Sequence, residues 1–166
     1  MNIASPDRLT KETRQGIDGW LAKFPKDQRR SAMIPALKLA QEQNQGWLDE
    51  SLINAVADYL CLPRIAAYEV ASFYTLFHLK PVGKHRLYVC TNIACLLRNS
   101  DEIAYHIKAK LNIGFGETTP DGRFSLFEVE CLGACGGAPA MQVGSIYHEN
   151  LTPEKIDQIL EETYAK

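Results

Sequence analysis

Four of the five cysteines fall in two close pairs, Cys90 and Cys95 in C-T-N-I-A-C and Cys131 and Cys135 in C-L-G-A-C. Four thiolates converging on one point would bind a metal ion or an iron–sulfur core. The C-x4-C and C-x3-C spacings help to choose between them. Structural zinc sites usually pair cysteines as C-x2-C, with some C-x4-C, and often include histidine. A [2Fe–2S] core is larger than one zinc ion, and wider loops suit it. Spacing alone therefore favours a [2Fe–2S] cluster, with zinc and a metal-free fold as the alternatives.

The other residues capable of such chemistry have plainer readings. Cys61 precedes Leu62-Pro63 at a helix end and reads as a buried or half-buried structural thiol. His78, His85, His106 and His148 are scattered, none at ligand spacing from a cysteine pair, so they read as surface or packing residues. The chain shows neither a G-x-G-x-x-G fingerprint nor a P-loop, so nothing in it suggests an NADH site of its own.

The bulk numbers describe an ordinary globular chain of one domain or two small ones: 166 residues, 46% hydrophobic and 23% charged. A formal net charge of −2 gives no electrostatic reason to expect nucleic acid. The first residues lack the apolar run of a secretory signal. The longest mostly apolar stretch, Ile65 to Phe77, is too short and too polar to cross a bilayer. The chain is thus expected to be intracellular, where clustered cysteines point to metal or redox chemistry more than to disulfides.

The positioning elements change character near Lys80-Pro81-Val82-Gly83. Residues 1–80 read as a small helical bundle, 81–166 as alternating strands and helices. Ser5 and Pro6 look like the cap and first position of a helix that turns Leu9, Ile17 and Leu21 inward and ends before Pro25. A second helix starts near Ser31 with Ile34, Leu37 and Ala40 as its stripe, a start or kink at Pro35, and an end at Gly46. Asp49 caps a third that carries Leu52, Ile53, Val56, Ala57 and Leu60. Pro63 opens a fourth, leading into Phe73, Tyr74 and Phe77, which read as core more than as partner surface.

After Gly83, Arg86 to Val89 is a strand that delivers Cys90. Asn99 or Ser100 caps a helix with Ile103, Ile107 and Leu111 at i, i+4 and i+8. Pro120-Asp121-Gly122 turns the chain into a second strand, Phe124 to Glu130, which delivers Cys131. Ala140 to Val143 and Ile146 to His148 form a hairpin around Gly144-Ser145. Thr152 caps the last helix, with Pro153 first and Leu151 stapled onto Ile156. The order β-α-β-β-β-α is thioredoxin-like, and the whole is an α+β chain. Two parallel strands joined by a crossover end at the same sheet edge. Cys90 and Cys131 would sit at those ends, with Cys95 and Cys135 in the loops beyond. Ala138-Pro139 precedes a strand where such folds often place a cis-proline.

Nearly the whole chain resembles a known family. The matching segments are S-A-M-I-P-A-L in the second helix, Q-G-W-L at 45–48, Y-E-V-A-S-F-Y-T-L-F at 68–77, P-V-G-K-H-R-L-Y-V-C-T-N-I-A-C at 81–95, G-E-T-T-P-D-G-R-F at 116–124 and V-E-C-L-G-A-C-G-G-A-P at 129–139. They resemble the E subunits of bacterial NADH–quinone oxidoreductase, respiratory complex I, within the thioredoxin-like [2Fe–2S] ferredoxins. The resemblance implies that Cys90, Cys95, Cys131 and Cys135 ligate one [2Fe–2S] cluster. It further implies an electron-transfer component that is not catalytic alone. Its partner would be the F subunit of the complex, which carries FMN and the NADH site. The whole would lie on the cytoplasmic face of the bacterial inner membrane, without this chain inserting itself.

The sequence departs from that pattern at Arg98-Asn99-Ser100, where a glycine is expected; Asn tolerates positive φ, so the backbone path is expected to be kept. Arg98 then either brings positive charge near the cluster or is a solvated surface residue. Gly133, Gly136 and Gly137 are either backbone N–H donors to the cysteine sulfurs or plain turn formers. Rival readings are the small subunit of an NAD-linked formate dehydrogenase or hydrogenase, and a zinc-stabilised binding module.

Overall fold

A computed structural model describes residues 8–165. The chain divides into two compact units, Met1–Pro81 and Val82–Lys166. The expected cap at Ser5 and Pro6 lies outside the described residues.

The first unit is helical: α1 (Lys11–Leu21), α2 (Met33–Gln43), α3 (Glu50–Tyr59) and α4 (Arg64–Phe73). The described N-cap of α1 is Thr10, whose side chain accepts from the Thr13 N–H. A short 3-10 turn, Arg29–Ala32, precedes α2. Pro35 therefore sits in the first turn of α2, where its missing N–H costs no helical bond. Arg29 donates to the carbonyls of Leu60 (2.8 Å) and Tyr59 (3.0 Å), which satisfies orphan acceptors at the end of α3. Leu9, Ile17, Met33, Leu37, Leu52, Ile53, Val56, Leu60 and Phe77 build one core. Ile34 is not in it; that side chain is 38% exposed, because Met33, Ala36, Leu37 and Ala40 take the inner face. Of the aromatic group, Phe77 is buried but Phe73 is 77% exposed and Tyr74 is half-exposed, packed edge-on at 5.1 Å between ring centroids. The core expectation thus fails for those two: in the last turn of α4 Ala71 takes the inner face with Val70 against it, and Phe73 and Tyr74 lie outside that core.

The second unit is built on a four-stranded sheet of order β2-β1-β3-β4. Its strands are β1 (His85–Cys90), β2 (Phe124–Val129), β3 (Met141–Val143) and β4 (Ile146–His148). β1 and β2 run parallel with Leu87 opposite Leu126 and Cys90 opposite Val129. The other pairings are antiparallel, and β3 turns into β4 through the two residues Gly144-Ser145, with Gly144 at φ 59°. A one-turn helix, α5 (Ile93–Leu96), follows β1; α6 (Ser100–Leu111) is the crossover and α7 (Pro153–Tyr164) closes the unit. Ile103 and Ile107 of α6 and Ile156 and Leu160 of α7 pack with Leu87, Val89, Leu126 and Met141 in a second core. Each such side chain contributes about 1.5–3 kcal/mol by leaving water. Thr152 caps α7 with Pro153 first, and Leu151 and Ile156 are both buried, as the staple requires. The peptide bond Ala138-Pro139 is cis.

Candidate metal centre

The parallel pairing of β1 and β2 decides where the cysteines meet. Cys90 ends β1 opposite Val129, the last residue of β2, so Cys131 follows two residues later at the same edge. Cys95 does not lie in a loop. It sits on α5, whose start is fixed by the Asn92 side chain accepting from the Ile93 N–H at 2.7 Å. Cys135 likewise opens a 3-10 turn, Cys135–Gly137. From these turns the second cysteine of each pair reaches the same cavity as the first. Asn99, which stands where a glycine was expected, adopts φ 65° and lets the chain bend from α5 into α6 as glycine would. Its side chain makes no capping bond. Arg98 is exposed.

Cys90, Cys95, Cys131 and Cys135, with Asn92 and Ala94, line a cavity of about 170 Å³. That is several times a water molecule's share of the liquid, about 30 Å³. Among the described residues no group of three or more His, Cys, Asp or Glu side chains closes on a single ion. The thiols ring a space instead. Cys90 and Cys95 are buried, and Cys131 and Cys135 are exposed. The two buried thiols pack in a small apolar cluster with Ala138 and Ala140, and Val129, Leu132 and Ala134 lie against it. The donor set is four soft thiols with no carboxylate or imidazole among the lining residues, which suits iron–sulfur chemistry. The residues present therefore fit a [2Fe–2S] core.

Burial and crowding set the electrostatics of the thiols. Burial, then the adjoining Cys90 thiol, push the Cys95 thiol up to about 11, against the opposite pull of the Ala140 N–H. The neighbouring Cys131 sulfur raises Cys135. Thiols that resist losing protons in each other's company must release them when a metal binds. Two backbone donors answer the negative sulfurs. Gly133, at φ 71°, points its N–H at Cys131 Sγ across 3.3 Å. The Ala140 N–H faces Cys95 and was not foreseen, because nothing in an alanine's identity reports the direction of its amide. Gly137 is not such a donor; its N–H bonds the Ala134 carbonyl at 3.1 Å.

The remaining candidates lie apart from the centre. Cys61 is exposed, which corrects the expectation of a buried or half-buried thiol. His106 Nε2 lies 2.8 Å from Asp157 Oδ1 and ties α6 to α7. His78 is buried in the first unit, and the His85 ring packs on Phe124. A larger cavity of about 440 Å³ is lined by Phe124, Lys110, Asp157, Leu160 and Tyr164 among others. It lies at the start of β2, the end of the sheet remote from the cysteines.

The chain is similar to known proteins. The model of the thioredoxin-like [2Fe–2S] ferredoxin family matches residues 17–164. A protein of Rickettsia bellii (strain RML369-C), named as the E subunit of NADH-quinone oxidoreductase, is 51% identical over 85% of this chain and 84% of its own. One of Rhizobium meliloti (strain 1021), named as the E 2 subunit of the same oxidoreductase, is 46% identical over 89% of this chain and 86% of its own. Among solved structures, an NAD+-reducing [NiFe]-hydrogenase in the air-oxidized state superposes with a TM-score of 0.67 at 23% identity. That match covers 78% of this chain but only 23% of the hydrogenase chain, and it is a likeness of fold.

Proposed function

The chain belongs to the thioredoxin-like [2Fe–2S] ferredoxin family, and on that premise we propose that it is the electron-transfer E subunit of an NADH–quinone oxidoreductase. Residues 81–166 are the domain that holds one [2Fe–2S] cluster, and residues 1–80 are a separate helical domain. The observation that carries this reading is the cavity ringed by Cys90, Cys95, Cys131 and Cys135. Its relatives at 51% and 46% identity bear the name of that component over most of their length.

A bound [2Fe–2S] core supplies one-electron exchange, whereas taking a hydride from NADH needs a flavin. This reading places the FMN and the NADH site on the F subunit, as the partner of this chain. The chain's own residues do the holding and the tuning. Cys90 and Cys95 grip from the buried side, and Cys131 and Cys135 from the exposed side. The Gly133 and Ala140 N–H groups steady the negative charge on sulfur. On α5, which carries Cys95, and at its C-cap stand Ile93, Leu96 and Leu97, apolar and exposed at 70%, 51% and 78%. Such a rim beside a redox centre is suited to being covered by a protein partner that excludes water. No described helix is long and apolar enough to cross a membrane. Attachment to the cytoplasmic face of the inner membrane would come through the complex.

One spectrum tests the centre. The protein reduced with dithionite is expected to give a rhombic [2Fe–2S] electron paramagnetic resonance signal at low temperature. Cys131→Ala should lose it and Cys61→Ala should keep it. A colourless protein holding one zinc per chain, or a normal signal in Cys131→Ala, sinks the assignment. Co-purification tests the complex. Membrane-arm components and quinone reductase activity support this reading; nickel or molybdenum would transfer the chain to an NAD-linked hydrogenase or formate dehydrogenase.

A further inference from the structure

Glu149 leaves β4 and enters the connection to α7, yet its side chain lies on the second cysteine turn. A methyl group added to Gly137, the last residue of the turn Cys135–Gly137, would fall 2.6 Å from both Cβ and Cδ of Glu149. Only a glycine leaves room for that side chain. Two backbone bonds hold the contact: Asn150 N–H to the Gly137 carbonyl (2.6 Å) and Leu151 N–H to the Pro139 carbonyl (3.2 Å). The Lys155 ammonium donates to the Glu149 main-chain carbonyl at 2.7 Å. Glu149 itself is exposed.

We propose that Glu149 is a positioning residue that holds a negative charge against the turn carrying Cys135 and biases the centre toward its oxidised form. The inference rests on the cluster assignment above. The physical reason is simple. Reduction adds one negative charge to an already anionic centre, and a carboxylate lying against the turn that carries one of its ligands opposes it. The main-chain bonds at 150 and 151 hold the chain beside Glu149 against the turn without engaging the carboxylate, so its effect is expected on potential and not on assembly.

The test is a redox titration of the whole protein followed by the [2Fe–2S] signal. Glu149→Gln keeps the side chain's size and removes its charge. At a fixed potential the reduced-to-oxidised ratio should rise about threefold, or about 30 mV at about 59 mV per tenfold for one electron. The shift should shrink as ionic strength rises from about 0.01 M to about 1 M, where the screening length falls from about 30 Å to about 3 Å. Glu161→Gln removes the same charge beside the remote cavity and should leave the potential where it was. An unchanged potential in Glu149→Gln overturns the proposal. So does an equal shift in Glu161→Gln, or a salt-independent shift with altered g-values, which would mark a purely structural contact. A wild-type protein with no [2Fe–2S] signal would instead overturn the cluster assignment itself.

Discussion

Cys61 holds a backbone conformation that disfavours its own side chain. Its φ is 55°, in the left-handed region that glycine enters freely. The cause is the end of α3: the Cys61 N–H bonds the Asp58 carbonyl at 3.1 Å and the Leu62 N–H bonds the Ala57 carbonyl at 2.9 Å. That pair of bonds is a Schellman motif with cysteine where glycine usually stands. Relieving the strain is worth about 1–2 kcal/mol, less the 0.5–1 kcal/mol or so of extra chain entropy that glycine brings. Cys61→Gly should therefore stabilise the helical unit by roughly 0.5–1 kcal/mol. A higher denaturant midpoint at unchanged slope would show it; a lower one would refute the strain argument. The exposure of this thiol was hidden in the sequence because cysteine is usually buried. Its place one residue past the last apolar helical position, with Pro63 two further on, was the signal that a cap stands here.

Among the elements, α3 depends most visibly on its cap. Asp49 Oδ1 accepts from the Leu52 N–H and the Ser51 hydroxyl, both at 2.7 Å, and its carboxylate also meets the Arg8 guanidinium. Burial pushes the Asp49 carboxyl up. The bonds from Ser51 and Leu52, together with Arg8, outweigh it, and the net shift is downward. A carboxyl lowered on folding adds stability above its unfolded pKa, about 3.9. That stability is lost as pH falls through the lowered folded value. Asp49→Ala should cost about 1 kcal/mol near neutral pH. Asp49→Asn, itself a good cap, should cost less and flatten the acid limb of the stability curve. Acid limbs that stay parallel in wild type and Asp49→Asn would show that the charge contributes nothing. This cap was legible because it combines a residue type with the periodic run behind it, and the same holds for Thr152 before α7. The strands that deliver Cys90 and Cys131 were legible as alternating runs. α5 was not, since four residues are too few to show a period, although Asn92 before Ile93 is a cap signal. Phe73 and Tyr74 misled for the opposite reason: an aromatic residue reads as core until the position where its helix ends is known.

For the whole molecule, the two units differ in what holds them. The helical unit has a continuous core that includes Leu37, Leu52, Ile53, Val56 and Phe77. The second unit has a comparable core between its sheet and α6 and α7, but it does not extend to the cysteine edge. There the buried cluster is Cys90, Cys95, Ala138 and Ala140, with Gly137 and Pro139 also buried, small residues that release little apolar surface. Under the proposed function the centre fills that gap, cross-linking two segments distant in sequence, and its binding energy becomes folding energy. Removing iron with a chelator under reducing conditions should therefore destabilise the units unequally. Amides of Val89 in β1 and Ile103 in α6 should lose hydrogen-exchange protection, whereas those of Ile53 and Val56 in α3 should keep it. Uniform loss across both would mean that the helical unit draws its stability from the centre as well, and the description of 1–80 as a separate domain would fall. Unchanged protection everywhere would mean that the small apolar cluster suffices without the centre. The small size of the side chains buried at that edge argues against the second outcome, and the self-contained core of the first unit argues against the first.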